Sequence, residues 1–284
     1  MNQAIENMLK RYQPKSLEEQ EQALREIMQE IALVGLWRSK FFEHAAFYGG
    51  TALRIFYGLD RFSEDLDFTL MKPNPRFSWD KYGEAIKQEL NSYGFQVDFI
   101  EKAKAQESQI KSAFLKTNTL QELLNIGVSR DLISGLHKNT LMRIKVEIDT
   151  EPSVDFDYEQ KILDQPVPVS VRCVNEEHLF AAKMHAALFR AWKGRVKGRD
   201  WYDIVWFIRN KSPLNLEYFS RHRGLDASLT QEEFLKMAHE RVDNLDVASA
   251  LKDAVVFSYD PDLLSQTWSK EFFHTFLNKI SFKA

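Results

Sequence analysis

The chain has one cysteine in 284 residues, Cys173, so no internal disulfide can form. Its surroundings, VPVSVRCV, are apolar and favour a buried, inert thiol over a reactive one. No stretch approaches the roughly 18 apolar residues that read as a membrane span. The opening residues, MNQAIENMLK, lack the apolar core of a signal peptide. These two absences make the cytoplasm the expected compartment, with no membrane partner. A charge surplus is missing as well. The formal net charge is -3, so any contact with nucleic acid must come from a local patch. Internal repeats and low-complexity segments are absent. What remains is 44% hydrophobic and 28% charged, ordinary for a globular chain long enough for one large domain or two modest ones.

Periodicity organises the chain. Residues 16–38 read as a helix, with Ser16 and Glu19 in the S-x-x-E spacing of a capping box. Leu24, Ile27, Met28, Ile31 and Val34 follow at helical spacing, and Gly35 offers an alternative, earlier end. Phe41 to Tyr48 reads as a strand or turn entering the corner Gly49-Gly50. Thr51 is placed to cap a short helix. Ser63 to Leu70 alternates with period two and is predicted to be a strand. Residues 79–92 read as a helix and 95–100 as a strand. Residues 101–118 are polar and weakly patterned, and 119–137 are helical or irregular. LMRIKVEIDT (141–150) is a second alternating strand, and residues 167–174 form a final one. Beyond 174 the pattern is helical, and Thr230 and Glu233 offer another capping box. The expected class is α+β. A mixed sheet with flanking helices occupies residues 1–174, and a helical domain that completes an active-site cleft occupies 175–284.

Asp65 and Asp67 lie two apart on a predicted strand, so their side chains leave one face a few ångströms apart. Two carboxylates that close repel unless a cation joins them. Mg²⁺ takes such oxygens and leaves room for phosphate. The competing reading is a solvated strand at a sheet edge. Gly49-Gly50, some fifteen residues earlier, allows close backbone approach, and Thr51 opens a helix whose N-terminus faces an anion. Glycines there also suit a plain tight turn. Glu147 and Asp149 share a face of the second strand. If the strands are neighbours, three carboxylates converge as two-metal phosphoryl chemistry requires; a solvated face is the alternative.

At this point the residues carry a resemblance. GGTALRIFYGLDRFSEDLDF (49–68) resembles the first motif of the AbiEii/AbiGii toxin family, within the DNA polymerase β-like nucleotidyltransferase superfamily. The family form adds Arg54 after the glycines and Ser63 two residues before the first aspartate. EHLFAAKMHAALFRAWKGRVKGRDWYD (177–203) resembles the family's K…A…R…RD-x-x-D block. There Lys183 takes the position of its essential lysine and Asp200 that of its later aspartate. KVEID puts Glu147 at the third carboxylate. The superfamily's glycine pair is often Gly-Ser, whereas Gly-Gly-Thr stands here.

The resemblance implies transfer of a nucleoside monophosphate from a nucleoside triphosphate with Mg²⁺ or Mn²⁺. Asp65, Asp67 and Glu147 would bind the metal. Gly49, Gly50, Thr51, Arg54, Ser63 and Lys183 would bind the nucleotide, with Lys183 and Asp200 also catalytic. It further implies the toxin of a toxin–antitoxin or abortive-infection system, with a cognate antitoxin as partner and RNA, the tRNA 3′ end, as acceptor. Small-molecule transfer of the antibiotic-modifying kind is the alternative enzyme. A non-catalytic nucleotide- or RNA-binding protein of the same scaffold, or one acting mainly by binding its antitoxin, is the alternative class.

Bland readings stand beside these roles. Lys183 among alanines is also a lysine snorkelling from an apolar face. Asp200 suits an N-cap, and its family role includes orienting Lys183. Asp203 suits a pair with Arg199. Arg190, Lys193, Arg195, Lys197 and Arg199 place five cations in ten residues, a solvated loop or a strip for RNA phosphates. Trp192 and Trp201 suit base stacking or the core. His44, His178 and His185 have no metal spacing, and the roles of Asp149 and Asp203 stay open.

Overall fold

Apolar residues three and four apart build the first long helix, and period-two alternation builds the strands beside it. The computed structural model describes residues 3–102, 108–128, 133, 136–152, 156–190, 196–225 and 227–283. In chain order the elements are α1 (Gln3–Leu9), α2 (Leu17–Arg38), β1 (Ala45–Tyr48), α3 (Gly49–Ala52), β2 (Leu66–Leu70) and α4 (Asp80–Ser92). Then come β3 (Asp98–Glu101), β4 (Ile110–Asn118), α5 (Thr119–Asn125), β5 (Leu141–Asp149), β6 (Tyr158–Leu163) and β7 (Val169–Val174). The helical stretch holds α6 (Glu176–Phe189), α7 (Gly198–Arg209), β8 (Pro213–Leu214), α8 (Leu216–His222), α9 (Gln231–Asp243), α10 (Val247–Ala254), α11 (Pro261–Thr267), α12 (Lys270–Leu277) and β9 (Ser281–Phe282).

Two compact units result. The first comprises Met1–Phe56, Ser63–Pro152 and Tyr158–Cys173; the second comprises Tyr57–Phe62, Ser153–Asp157 and Val174–Ala284. Two short stretches from before residue 174 thus belong to the helical unit.

The first unit is a mixed sheet in the order β3-β4-β5-β2-β1-β7-β6. β2 runs parallel to β5 and β1 parallel to β7, while β1–β2, β3–β4 and β4–β5 are antiparallel. This is a mixed sheet, the class expected for the first part of the chain. α2 buries Leu24, Ile27, Met28, Ile31 and Val34, each worth roughly 1.5–3 kcal/mol. Phe41 and Phe68 meet edge-on at 5.0 Å, and Phe47 lies 5.1 Å from Phe68.

Local details depart from the sequence reading. α2 runs to Arg38, as the bounds 16–38 predict, and passes through Gly35 rather than ending there. Its backbone lies against α4, where a Cβ would sit 2.8 Å from the Ala85 carbonyl oxygen, so this glycine serves helix contact. Ser16 caps α2 by accepting from Glu19 N–H, but the Glu19 carboxylate accepts from Lys15 N–H rather than from Ser16. Residues 110–118, read as weakly patterned, form the nine-residue β4.

The second unit is built on capped helices. Thr230 and Glu233 make the full capping box on α9, and Asn175, Asn215 and Ser269 cap α6, α8 and α12. Phe180 stacks on Phe207 at 4.6 Å. α7 approaches α10 so closely that a Cβ on Gly198 would sit 1.7 Å from the Ala250 carbonyl oxygen. No helix among the described residues is long and apolar enough to cross a membrane.

Candidate active site

The glycine corner follows β1 directly. Gly49 has φ +81°, the left-handed region that suits glycine. Its neighbour Tyr48 pairs with Asp67 across β1–β2, and a Cβ on Gly49 would meet Asp67 Oδ2 at 2.7 Å. The glycine therefore gives the Asp67 carboxylate its room.

Thr51 does not cap a helix. The helix starts at Gly49, Tyr48 is its N-cap, and Thr51 is buried inside it. Its hydroxyl is used elsewhere, donating to the Asp65 carbonyl, with the Ser63 hydroxyl 2.9 Å away. A single hydroxyl proton serves the carbonyl, so Ser63 donates to Thr51. Gln29 Nε2 of α2 donates to the Ser63 carbonyl at 3.2 Å. Arg54 is turned to Glu26 of α2, 2.9 Å away, and the Tyr12 hydroxyl donates to the same carboxylate at 3.0 Å.

Asp65 stands one residue ahead of β2, and its carbonyl accepts from the Thr51 hydroxyl. Asp67 is in β2 and lies in register with Glu147 on the parallel neighbour β5. Glu147 accepts from the Ser112 hydroxyl at 2.6 Å and pairs with Lys145 at 2.6 Å. Among the described residues no three His, Cys, Asp or Glu side chains are grouped as a metal ion requires. In donor chemistry and register the set still fits a hard divalent cation. Asp67 stands in β2 with Glu147 beside it in register, the Glu147 carboxylate held by Ser112 and Lys145, and Asp65 comes one residue before the strand. Asp149 accepts from the Glu151 N–H at 3.0 Å and so turns the chain after β5.

In the helical unit, Lys183 of α6 meets two aspartates of α7. Its ammonium lies 2.7 Å from Asp203 Oδ2 and 3.1 Å from Asp200 Oδ1. Asp203 also takes Arg61 in a fork, Nε at 2.7 Å and Nη2 at 2.8 Å. Asp203 is 0% and Arg61 2% exposed. Two cations balance two carboxylates here, which makes the burial tolerable. Burial alone would lower Lys183, but Asp203 and Asp200 outweigh it and hold the ammonium above its ordinary range. Burial alone would raise the carboxylates. Arg61 and Lys183 nonetheless depress Asp203, while Lys183 and Lys197 depress Asp200. All four groups stay charged. Burial pushes Lys197 down, opposed by Asp200 and reinforced by Lys183, Arg199 and Arg190.

A family model for the nucleotidyl transferase AbiEii toxin of type IV toxin–antitoxin systems matches residues 31–269, most of the chain. The chain belongs to the AbiEii nucleotidyltransferase toxin family. It is accordingly a nucleotidyltransferase toxin. Among solved structures it is similar to the MenT4 nucleotidyltransferase toxin of Mycobacterium tuberculosis, at 15% identity over 97% of this chain and 90% of that one, with a TM-score of 0.52. It is also similar to JHP933 of Helicobacter pylori, at 17% identity over 89% and 87% of the two chains, with a TM-score of 0.46. At these identities the likeness concerns the fold. No curated protein matches.

Several expectations for this AbiEii-family chain need correction. Asp200 is not an N-cap: Lys197 occupies that position, and Asp200 lies within the first turn, 2% exposed. Asp203 pairs with Arg61 and Lys183, whereas Arg199 lies 3.7 Å from Asp253 and over the Phe257 ring at 4.0 Å. Trp201 is core, 1% exposed and packed on Phe273 at 5.2 Å, so it is no platform for a base. Trp192, Lys193 and Arg195 lie outside the described residues. Cys173 is buried as expected, and burial pushes its thiol up. Sequence reasoning missed Arg61, Glu26 and Gln29. The only available signal for Arg61 was that two aspartates on one apolar helix need cations.

Proposed function

We propose that this toxin moves a nucleoside monophosphate from a nucleoside triphosphate to an RNA, the 3′ end of tRNA, with Mg²⁺ or Mn²⁺. The observation that carries the reading is the register of Asp67 with Glu147, with Gly49 clearing space for the Asp67 carboxylate. Asp65 and Asp67 would hold the metal, with Glu147 as third carboxylate. When bound, the ion neutralises phosphate charge and favours attack at the α-phosphorus. In the transfer itself, the acceptor hydroxyl oxygen bonds the α-phosphorus as the bond to the β-phosphate oxygen breaks, and pyrophosphate leaves. Glu147 completes the carboxylate cluster or takes the hydroxyl proton as base. Gly49 and Gly50 present backbone to the nucleotide. Thr51 and Ser63 hold the Asp65 lead-in, and Arg54 is kept near by Glu26. Lys183 acts on the triphosphate as a point charge, kept protonated by Asp200 and Asp203. The cations between Arg190 and Arg199 support an RNA acceptor, and a cognate antitoxin is the protein partner.

The test incubates the protein with Mg²⁺, each α-labelled nucleoside triphosphate in turn and total tRNA, with Asp65→Ala as control. Label on tRNA from the intact chain alone supports the proposal. Label on tRNA from the Asp65→Ala chain would overturn the metal assignment. Triphosphate binding without label on RNA would overturn the acceptor and move it to a small molecule or protein.

A further inference from the structure

In the helical unit, α9 ends in HERVD, placing His239 and Asp243 four apart, and α12 runs into HTFLN, placing His274 and Asn278 four apart. Each pair therefore shares one helical face. The two faces meet. His239 Nδ1 lies 2.7 Å from His274 Nδ1, with the rings nearly parallel at 4.9 Å between centroids. The outer nitrogens cross over to the opposite helix. His274 Nε2 is 3.1 Å from Asp243 Oδ1, and His239 Nε2 is 3.1 Å from Asn278 Oδ1.

Asp243 Oδ1 only accepts, so His274 Nε2 carries the hydrogen and the neutral ring turns a lone pair on Nδ1 into the gap. His239 Nδ1 lies 2.7 Å away across that gap, either donating to this lone pair or, with its hydrogen on Nε2 toward Asn278, adding a second one that a shared cation would join. A carboxylate or amide oxygen on the far nitrogen is also the usual support of a metal-ligating histidine.

We propose that His239 and His274 bind one borderline transition-metal ion of the Zn²⁺ class through their Nδ1 atoms. Asp243 and Asn278 orient the rings, and water completes the coordination. Imidazole nitrogens suit Zn²⁺ and not Mg²⁺, so this site is distinct in chemistry from the carboxylates of the sheet. Two bonds of about 2.0–2.1 Å at a tetrahedral angle put the nitrogens about 3.4 Å apart. The rings must part by some tenths of an ångström, and His274 is at the surface with 30% of its side chain exposed. Bound metal would tie α9 to α12.

The experiment titrates ZnCl₂ calorimetrically into the full chain carrying Asp65→Ala and Asp67→Ala, which removes the carboxylate site from the count. Unfolding temperature is followed in parallel. The expected result is one Zn²⁺ per chain and a rise in unfolding temperature, both lost in His239→Ala and in His274→Ala. Asp243→Asn is expected to weaken binding about tenfold. Circular dichroism checks the fold, and His274→Gln replaces an alanine variant that does not fold. If Zn²⁺ binds the histidine variants as it binds the parent, or does not bind the parent, the proposal is overturned. The gap then holds a plain histidine–histidine hydrogen bond.

Discussion

Truncating Asp203 to alanine should be among the most damaging single changes in the helical unit. The wild-type carboxylate accepts three bonds, from Arg61 Nε, Arg61 Nη2 and Lys183 Nζ, at 2.7, 2.8 and 2.7 Å. Without it, Arg61 keeps only its bond to the Phe62 carbonyl, and two buried cations face the single carboxylate of Asp200. Removing one partner of such a pair costs about 3–5 kcal/mol. For a domain of this size that lowers the unfolding temperature by about 6–20 °C. The loss should be nearly constant between pH 5 and 9. Asp203 sits below the ordinary carboxylate range, so its contribution fades only as pH falls through that depressed value. Lys183 sits above the ordinary lysine range, so its contribution fades only as pH rises through that raised value. The assay is a thermal melt of five proteins: wild type, Asp203→Ala, Asp203→Leu, Arg61→Met and the double variant Arg61→Met/Asp203→Leu. The double variant should recover to within about 1–2 kcal/mol of wild type, because an apolar pair replaces the charged one. A cost below about 1 kcal/mol for Asp203→Ala, or a double variant as unstable as the two singles added together, would refute the reasoning.

Two further outcomes follow from the sheet unit. Gly49→Ala forces a side chain into φ +81° and puts its Cβ 2.7 Å from Asp67 Oδ2. The backbone strain should cost about 1–2 kcal/mol, and label transfer to tRNA should fall further than the unfolded fraction explains; unchanged transfer would sink the idea. Burial pushes Glu30 up to about 7 against the pull of Arg11. Between the ordinary glutamate range and about 7 the folded chain holds the extra proton, so stability falls as pH rises through that window. Melts at pH 5 and pH 8 should therefore show a decline in wild type that Glu30→Gln lacks.

How far the sequence carried depended on how local each signal was. β2 and β5 announce themselves by alternation, because one face of each is buried and the other carries Asp67, Glu147 and their neighbours. β4 hid because its buried face holds Ala113, Leu115 and Thr117, too small and polar to stand out. β6 lies at the sheet edge with Ile162 59% exposed, so its apolar residues do not mark a buried face. Thr51 was misplaced because it suits a cap by type but is claimed by a partner from elsewhere, the Asp65 carbonyl. Asp200 is not a cap either, and its contact with Lys183 is the one the family resemblance implied. Arg54 and Glu26 stand 28 residues apart, and Arg61 and Asp203 stand 142 apart. No periodicity links such positions. The strand positions of Asp67 and Glu147 are backbone facts and were readable, though Asp65 falls just before its strand, whereas the pairs of Arg54 and Arg61 are matters of tertiary contact and were not.

Arg61 also sets an order of events during synthesis. Its segment, Tyr57–Phe62, belongs to the helical unit yet leaves the ribosome embedded in the sequence of the sheet unit. Its partner Asp203 emerges 142 residues later. The helical unit therefore cannot be released by a single cut at residue 174, because such a fragment leaves its buried guanidinium behind. Nor can its core be finished before the sheet-forming residues between have been made. Completion of the second unit is thus tied to the synthesis of the first.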